Sequence, residues 1–155
     1  MPKLEYQRVI DQPELKYATE GSAAFDLRGY FTDALAELAK DLGEDNRFWI
    51  KGGTTVVLRT GVMFNIPSGY VLKVFPRSGL GFKHDVTLVN NVGIIDSDYT
   101  DEVLIKLIAQ TDDYLLVNGT RVAQAILERV DETVLIPVEE VKQSGRGGFG
   151  HSGDE

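Results

Sequence analysis

Short apolar stretches recur along the chain, each closed by glycine, proline or another turn residue, and they have the length of strands rather than helices. Thr54–Arg59 and Gly61–Ile66 read as strands joined at Thr60-Gly61, and Pro67-Ser68-Gly69 is a turn. Tyr70–Phe75 is rich in β-branched and aromatic side chains and stops at Pro76. Val86–Val89, Glu102–Ala109, Tyr114–Val117 and Thr133–Val138 follow; Val122–Val130 is ambiguous by period and is read as a strand from its context. Many short strands, about 8–12 residues apart, point to an all-β barrel or sandwich rather than alternating βα units. One segment breaks the pattern. Thr32–Leu42 has an N-cap at Thr32 or Asp33, places Leu35, Leu38 and Leu42 on one side and meets Gly43 just past its end, which predicts a short amphipathic helix.

A β fold of this kind must be held by its core alone. The 155 residues are 43% hydrophobic and contain no cysteine, which excludes disulfides, thiolate nucleophiles and cysteine-ligated metal centres. A chain of this size can bury roughly 70% of its unfolded surface, enough for one core without staples. His84 and His151 are the two histidines, and neither has a ligand partner at metal-binding spacing. No apolar run approaches the roughly 18 residues of a membrane span, and the first residues lack the charged-then-apolar layout of a secretory signal. A cytoplasmic protein is expected. Sixteen Lys and Arg against 24 Asp and Glu give a net charge of −8, which argues against binding to nucleic acid or to a membrane surface. Any phosphorylated ligand must then be held by a few local cations, by backbone N–H groups and by a metal ion.

Five segments carry side chains suited to chemistry. In Pro76–Lys83 a strand end is followed by Arg77, a fork donor for phosphate oxygens, then by the Ser78 hydroxyl and the Gly79 N–H. The same residues would also make an ordinary polar turn. Asn90–Tyr99 sets Val92, Ile94 and Ile95 between asparagines and aspartates, as in a β-hairpin with polar edges. The Asn90 amide can read a donor and an acceptor on a base edge, and Asp96 can serve as a general base for water; Asx-turn chemistry accounts for both residues equally. Gln124 and Asp26 are single polar residues in apolar, strand-like stretches, open to a buried hydrogen bond as well as to a site. The tail Ser144–Gly153 is glycine-rich and expected to be mobile. Its glycines let the backbone wrap a ligand, and Phe149 can stack on a flat ring.

In this order the segments resemble the five motifs of the trimeric dUTP pyrophosphatase (dUTPase) family: ATEGSAAFDLR (Ala18–Arg28), GYVLKVFPRSGLGFK (Gly69–Lys83), NNVGIIDSDYTDEV (Asn90–Val103), GTRVAQAI (Gly119–Ile126) and SGRGGFGHSG (Ser144–Gly153). The resemblance implies a distorted β-barrel or jelly roll over residues 1–142, an insertion at 30–49 that projects from it, and a flexible lid arm at 143–155. It implies a homotrimer with each site built from all three chains, and Mg²⁺-assisted hydrolysis of dUTP to dUMP and pyrophosphate. That activity limits uracil incorporation into DNA and supplies dUMP for dTMP synthesis.

Carried over residue by residue, the family pattern makes Asp96 the carboxylate that activates the attacking water and Asn90 the partner of uracil. Gly93, Ile94 and Ile95 become the floor of the base pocket, Leu104 its completion, and Tyr99 the ring under deoxyribose. Arg77, Ser78 and Gly79 become phosphate ligands, and Gln124 a contact to phosphate and metal-bound water. Asp26 approaches Mg²⁺ through water only, and Phe149 stacks over uracil. Ser144 stands where the family carries an arginine, so Arg146 must reach the γ-phosphate from a shifted loop or that contact is lost. Asp101 stands where a glycine is usual. A dCTP deaminase of the same fold would need a glutamate base beside the pyrimidine, and no motif supplies one. A nucleotide-dependent protein-binding module would use the 30–49 insertion toward an unknown protein partner.

Overall fold

The computed structural model describes residues 1–142; Arg146, Phe149 and the proposed lid arm lie outside the described residues. The chain runs β1 (Glu5–Arg8), β2 (Phe25–Phe31), α1 (Asp33–Asp41), β3 (Arg47–Ile50), β4 (Thr55–Arg59), β5 (Val62–Asn65), β6 (Tyr70–Pro76), α2 (Ser78–His84), β7 (Val86–Leu88), β8 (Gly93–Ile95), β9 (Leu104–Ala109), β10 (Tyr114–Val117) and β11 (Thr120–Arg129). Seven strands form one antiparallel sheet in the order β7-β9-β4-β2-β11-β6-β8, and β1 with β5 and β10 with β3 form two ribbons. The sheet curls into a half-barrel. Strict alternation along β2, with Phe25, Leu27, Gly29 and Phe31 facing in, is the period of a strand with one buried face. Leu27, Leu58, Leu72, Leu107 and Leu116 are fully buried inside the curl. Each such side chain contributes about 1.5–3 kcal/mol on leaving water, and no buried side-chain polar atom among the described residues lacks a partner.

Most expected strands are present within a residue or two, including β11, which the period alone left ambiguous. The helix forms with Thr32 as its cap, Thr32 Oγ1 accepting from the Leu35 amide at 3.3 Å, and with Gly43 in the left-handed region beyond it. Its buried stripe differs from the expected one. Leu35 and Ala39 are buried, whereas Leu38 and Leu42 are exposed. Leu38 lies on the far flank of Leu35 from Ala39, and Leu42 is past the last helical residue. The 30–49 segment also does not simply project. Leu35, Ala39 and Ile50 belong to the same core as the sheet, and β3 pairs with β10 through Ile50↔Tyr114 and Trp49↔Leu115.

Three other expectations change. Thr133–Val138 is not a strand: Val134, Leu135 and Ile136 are 85%, 91% and 74% exposed, because the described residues offer the segment no partner edge. Asn90–Tyr99 does not fold on itself as a hairpin; it contributes one short strand, β8, zipped onto β6. The turn after Pro76 is α2, which closes at Asp85 in the left-handed region. Two glycines and a single buried residue, Leu80, hide its helical period. Among the described residues no helix is long and apolar enough to cross a membrane.

A half-buried clamp ties the loop after β8 to the corner between β4 and β5. Glu102 accepts from Arg59 Nε and Nη2, the latter at 2.9 Å, and from the Gly61 amide at 2.7 Å. These bonds hold the Arg59 guanidinium more firmly protonated than a free arginine. Beside them Thr60 Oγ1 donates to the Val103 carbonyl at 2.7 Å. Gly61 is required at this corner: its φ is +67° and a Cβ would sit on the Ile10 side chain. Replacing Glu102→Ala leaves Arg59 and the Gly61 N–H without their shared acceptor. The expected cost is about 2–3 kcal/mol of unfolding free energy, read by urea denaturation; a loss below about 0.5 kcal/mol would show the clamp to be an ordinary surface ion pair.

Candidate active site

Three adjacent strands bring the first group of polar residues together. β11 is hydrogen-bonded to β2 on one edge and to β6 on the other, and Gln124 is paired with Asp26 on β2 and with Phe75 on β6. Directly opposed residues point to one face of the sheet, here the outer one. A bulge between Arg121 and Ala123 adds a residue to β11. Residues three apart in a regular strand face opposite ways, but the bulge turns Arg121 and Gln124 to the same side. Gln124 Nε2 then donates to the Pro76 carbonyl at 2.9 Å, which fixes the end of β6.

Arg77 follows at once. Its Nε donates to Asp26 Oδ1 at 2.8 Å, and its Nη1 donates to the Arg121 carbonyl at 3.1 Å. Arg121 Nη1 donates to the other carboxylate oxygen, Asp26 Oδ2, at 3.0 Å. One carboxylate is thus shared by two guanidinium groups, and the local charge is positive in a protein of net charge −8. Ser78 and Gly79 open α2 beside them, where the first N–H groups have no carbonyl one turn back. Asp26, Arg77, Ser78, Gly79, Arg121 and Gln124 line one open groove of about 640 Å³. Arg77 also acts on Tyr114: burial pushes that phenol's pKa up and the nearby guanidinium opposes the shift.

The second group lies elsewhere on the chain. Asn90 is exposed and its Nδ2 donates to the Val92 carbonyl at 3.2 Å, with Asn91 at φ +56° completing a tight turn. Gly93 is buried against Val74, where a Cβ would come within 3.2 Å of the Val74 Cβ. Ile95 packs against the core, whereas Ile94 and Leu104 are each 56% exposed. Asp96 is exposed, and its carbonyl accepts the Tyr99 amide at 3.1 Å in a further turn; the Tyr99 hydroxyl donates to the Glu102 carbonyl at 3.0 Å. Asp96 and Ile94 border a separate groove with Lys73 and Arg129, and that groove shares no lining residue with the Arg77 groove. Within one chain, therefore, Asp26, Arg77, Ser78, Gly79 and Gln124 converge, whereas of the third-motif residues Ile94 and Asp96 border the second groove, Gly93 and Ile95 face the core, and Asn90, Tyr99 and Leu104 line neither groove. A third cavity of about 420 Å³, lined mainly by apolar residues such as Tyr6, Leu15 and Phe25, has no convergent polar groups.

Comparison with known proteins decides the family. Residues 40–153 match the family model described as dUTPase. The deoxyuridine 5'-triphosphate nucleotidohydrolase of Finegoldia magna is 36% identical over 146 residues, which span 92% of this chain and 93% of that protein. The chain belongs to the dUTPase family. Its fold also matches solved dUTPases. The Staphylococcus bacteriophage 80alpha dUTPase with dUPNHPP superposes with a TM-score of 0.76 at 20% identity over 99% of both chains. A mutant dUTPase from phage phi11 of S. aureus, whose description names the coordination of a structural Mg(II) ion, superposes with a TM-score of 0.71 at 17% identity over 90% of this chain and 98% of that one.

In this dUTPase the second and fourth motifs meet the first across β6, β11 and β2, and the third pairs with the other edge of β6, so that Asp96 borders a different groove from Arg77. Arg121 is the polar residue of the groove that motif reading did not single out. Counted along a regular strand it faces away from Gln124, and only the bulge brings it over. Arg146 and Phe149 lie outside the described residues.

Proposed function

We propose that this dUTPase hydrolyses dUTP to dUMP and pyrophosphate in a homotrimer, each site joining the Arg77 groove of one copy to the Asn90–Tyr99 surface of another. The observation that carries the reading is that Arg77 and Asp96, both in motifs of one family site, border two grooves with no common lining residue. The exposed apolar side chains support assembly: Ile94, Leu104, Val134, Leu135, Ile136 and Val138 are each more than half exposed, and exposed runs of this kind mark interaction surfaces. The base and sugar enter against Asn90, the β8 backbone and Tyr99. The triphosphate lies along Arg77, Ser78, Gly79 and Gln124. Arg146 and Phe149 of the tail close over them. The enzyme acts on free nucleotide in the cytoplasm.

Magnesium fits the donor set in one way only. Among the described residues no three His, Asp or Glu side chains stand together as a cage. The groove supplies one carboxylate, Asp26, and one amide, Gln124. That suits an ion that keeps its waters and takes phosphate oxygens directly, with Asp26 and Gln124 reached through water. When bound, the ion neutralises charge on the phosphates. The remaining chemistry belongs to the chain. Asp96 orients a water and accepts its proton as the water oxygen bonds to the α-phosphorus. The bond from that phosphorus to the bridging oxygen breaks, and pyrophosphate leaves. Arg77 and the groove N–H groups hold the chain of phosphates in line, so catalysis is positioning and electrostatics.

Asp96→Asn is expected to lower kcat by at least about 10³-fold, the upper range for losing a positioned base, while an α,β-imido dUTP analogue still binds. Unchanged turnover in that variant would remove Asp96 from the reaction. Side-by-side pyrophosphate release from dUTP, dTTP, UTP and dCTP tests the substrate, and dUTP should be turned over far faster than the other three. The shared site has its own test. Arg77→Ala and Asp96→Asn chains, each inactive alone, should recover about a quarter of wild-type activity when refolded together in equal amounts, since half the sites draw an intact groove and half of those an intact Asp96. No recovery would mean that both halves of each site come from one chain.

A further inference from the structure

Two other residues hold Arg77 in its place in the groove. Asp26 Oδ1 takes its Nε and the Arg121 carbonyl takes its Nη1, at 2.8 and 3.1 Å. No described residue takes Nη2. The guanidinium is thus held by one edge and one corner, with its outer nitrogen left for a ligand. An arginine side chain has many rotamers, and holding it in one of them removes that entropic cost from the binding step.

Asp26 is an awkward buttress for this purpose. A carboxylate has two oxygens, and with Arg77 on one of them the other would face an incoming polyphosphate as an anion. Arg121 occupies that second oxygen at 3.0 Å. The Asp26 and Arg77 side chains are 22% and 25% exposed, and that of Arg121 is 49% exposed. The outer guanidinium therefore covers the carboxylate from the solvent side. Only the β11 bulge allows this, because it turns Arg121 to the face of Asp26.

We infer that Arg121 is a positioning residue for polyphosphate binding: it neutralises and orients Asp26, which in turn locks Arg77 in its binding geometry. The inference rests on the reading of the groove as the triphosphate site. It gives Asp26 a task that does not depend on magnesium, so the two tasks separate when the metal is removed.

The test is calorimetric titration of the full-length assembled protein with α,β-imido dUTP, with Mg²⁺ and again in EDTA. Arg121→Gln should weaken binding roughly tenfold in EDTA, about the worth of one charge-assisted hydrogen bond. Arg121→Lys, which keeps a cation on Asp26, should recover most of the loss. In an Asp26→Asn background, Arg121→Gln should change the affinity by less than twofold, because its effect passes through Asp26. Circular dichroism and sedimentation of all variants should match the parent. An equal loss in the Asp26→Asn background would overturn the inference, since Arg121 would then touch the ligand itself. So would a loss seen only with Mg²⁺, or no loss at all. Failure of the unmutated protein to bind the analogue under either condition would instead overturn the triphosphate reading, and this inference with it.

Discussion

Strand β11 is bonded along both edges, to β2 and to β6, and the register of those two ladders determines where nearly every polar group of the groove stands. Its inward residues, Val122, Ala123 and Ala125, are buried in the curl of the sheet, so the strand cannot slip by one residue without exposing them. The outer face inherits that rigidity. Asp26 is held opposite Gln124, Gln124 holds the carbonyl of Pro76, and Arg77 can leave the strand in only one direction. The groove is thus specified by hydrophobic packing on the other side of the same sheet. Sites built on such elements are held more closely than sites on loops.

The charge of the protein makes that arrangement economical. With a net charge of −8 the chain has no general attraction for phosphate. Two arginines concentrated around one carboxylate leave a local positive charge in a groove that is otherwise neutral. A nucleoside triphosphate that brings its own magnesium needs little more. A long nucleic acid, which binds through many phosphate contacts, is disfavoured by that net charge.

Much of this was legible in the chain itself. Strand-length apolar runs and turn residues specify an all-β fold, because burial on one face of a pleated strand leaves a period of two in the sequence. The motif order identifies the family, because each motif pairs a backbone requirement with a chemical group: glycine where a Cβ would meet Val74, arginine where β6 ends. The rest depends on contacts that period and propensity do not encode. Helix α2 carries two glycines and one buried leucine, so no stripe marks it. Leu38 and Leu42 are exposed because the buried stripe runs through Leu35 and Ala39 and the helix ends at Asp41. Thr133–Val138 has the composition of a strand, yet composition cannot say whether a partner edge lies in the same chain. Arg121 escapes a motif reading because a bulge, which depends on pairing across strands, decides which way it points.

The proposed division of the site between copies has a thermodynamic consequence. Nucleotide that touched two chains would bind the assembly and not the separated chain, so by linkage it would stabilise the proposed trimer in proportion to the logarithm of its concentration over its dissociation constant. The exposed side chains fit that economy. Ile94 is more than half exposed in the groove that Asp96 borders, so under the proposed assembly covering it and completing the site would be one event. The Glu102 clamp then has a second meaning, because it fixes the loop that bears Tyr99 to the β4–β5 corner whether or not a neighbour is present.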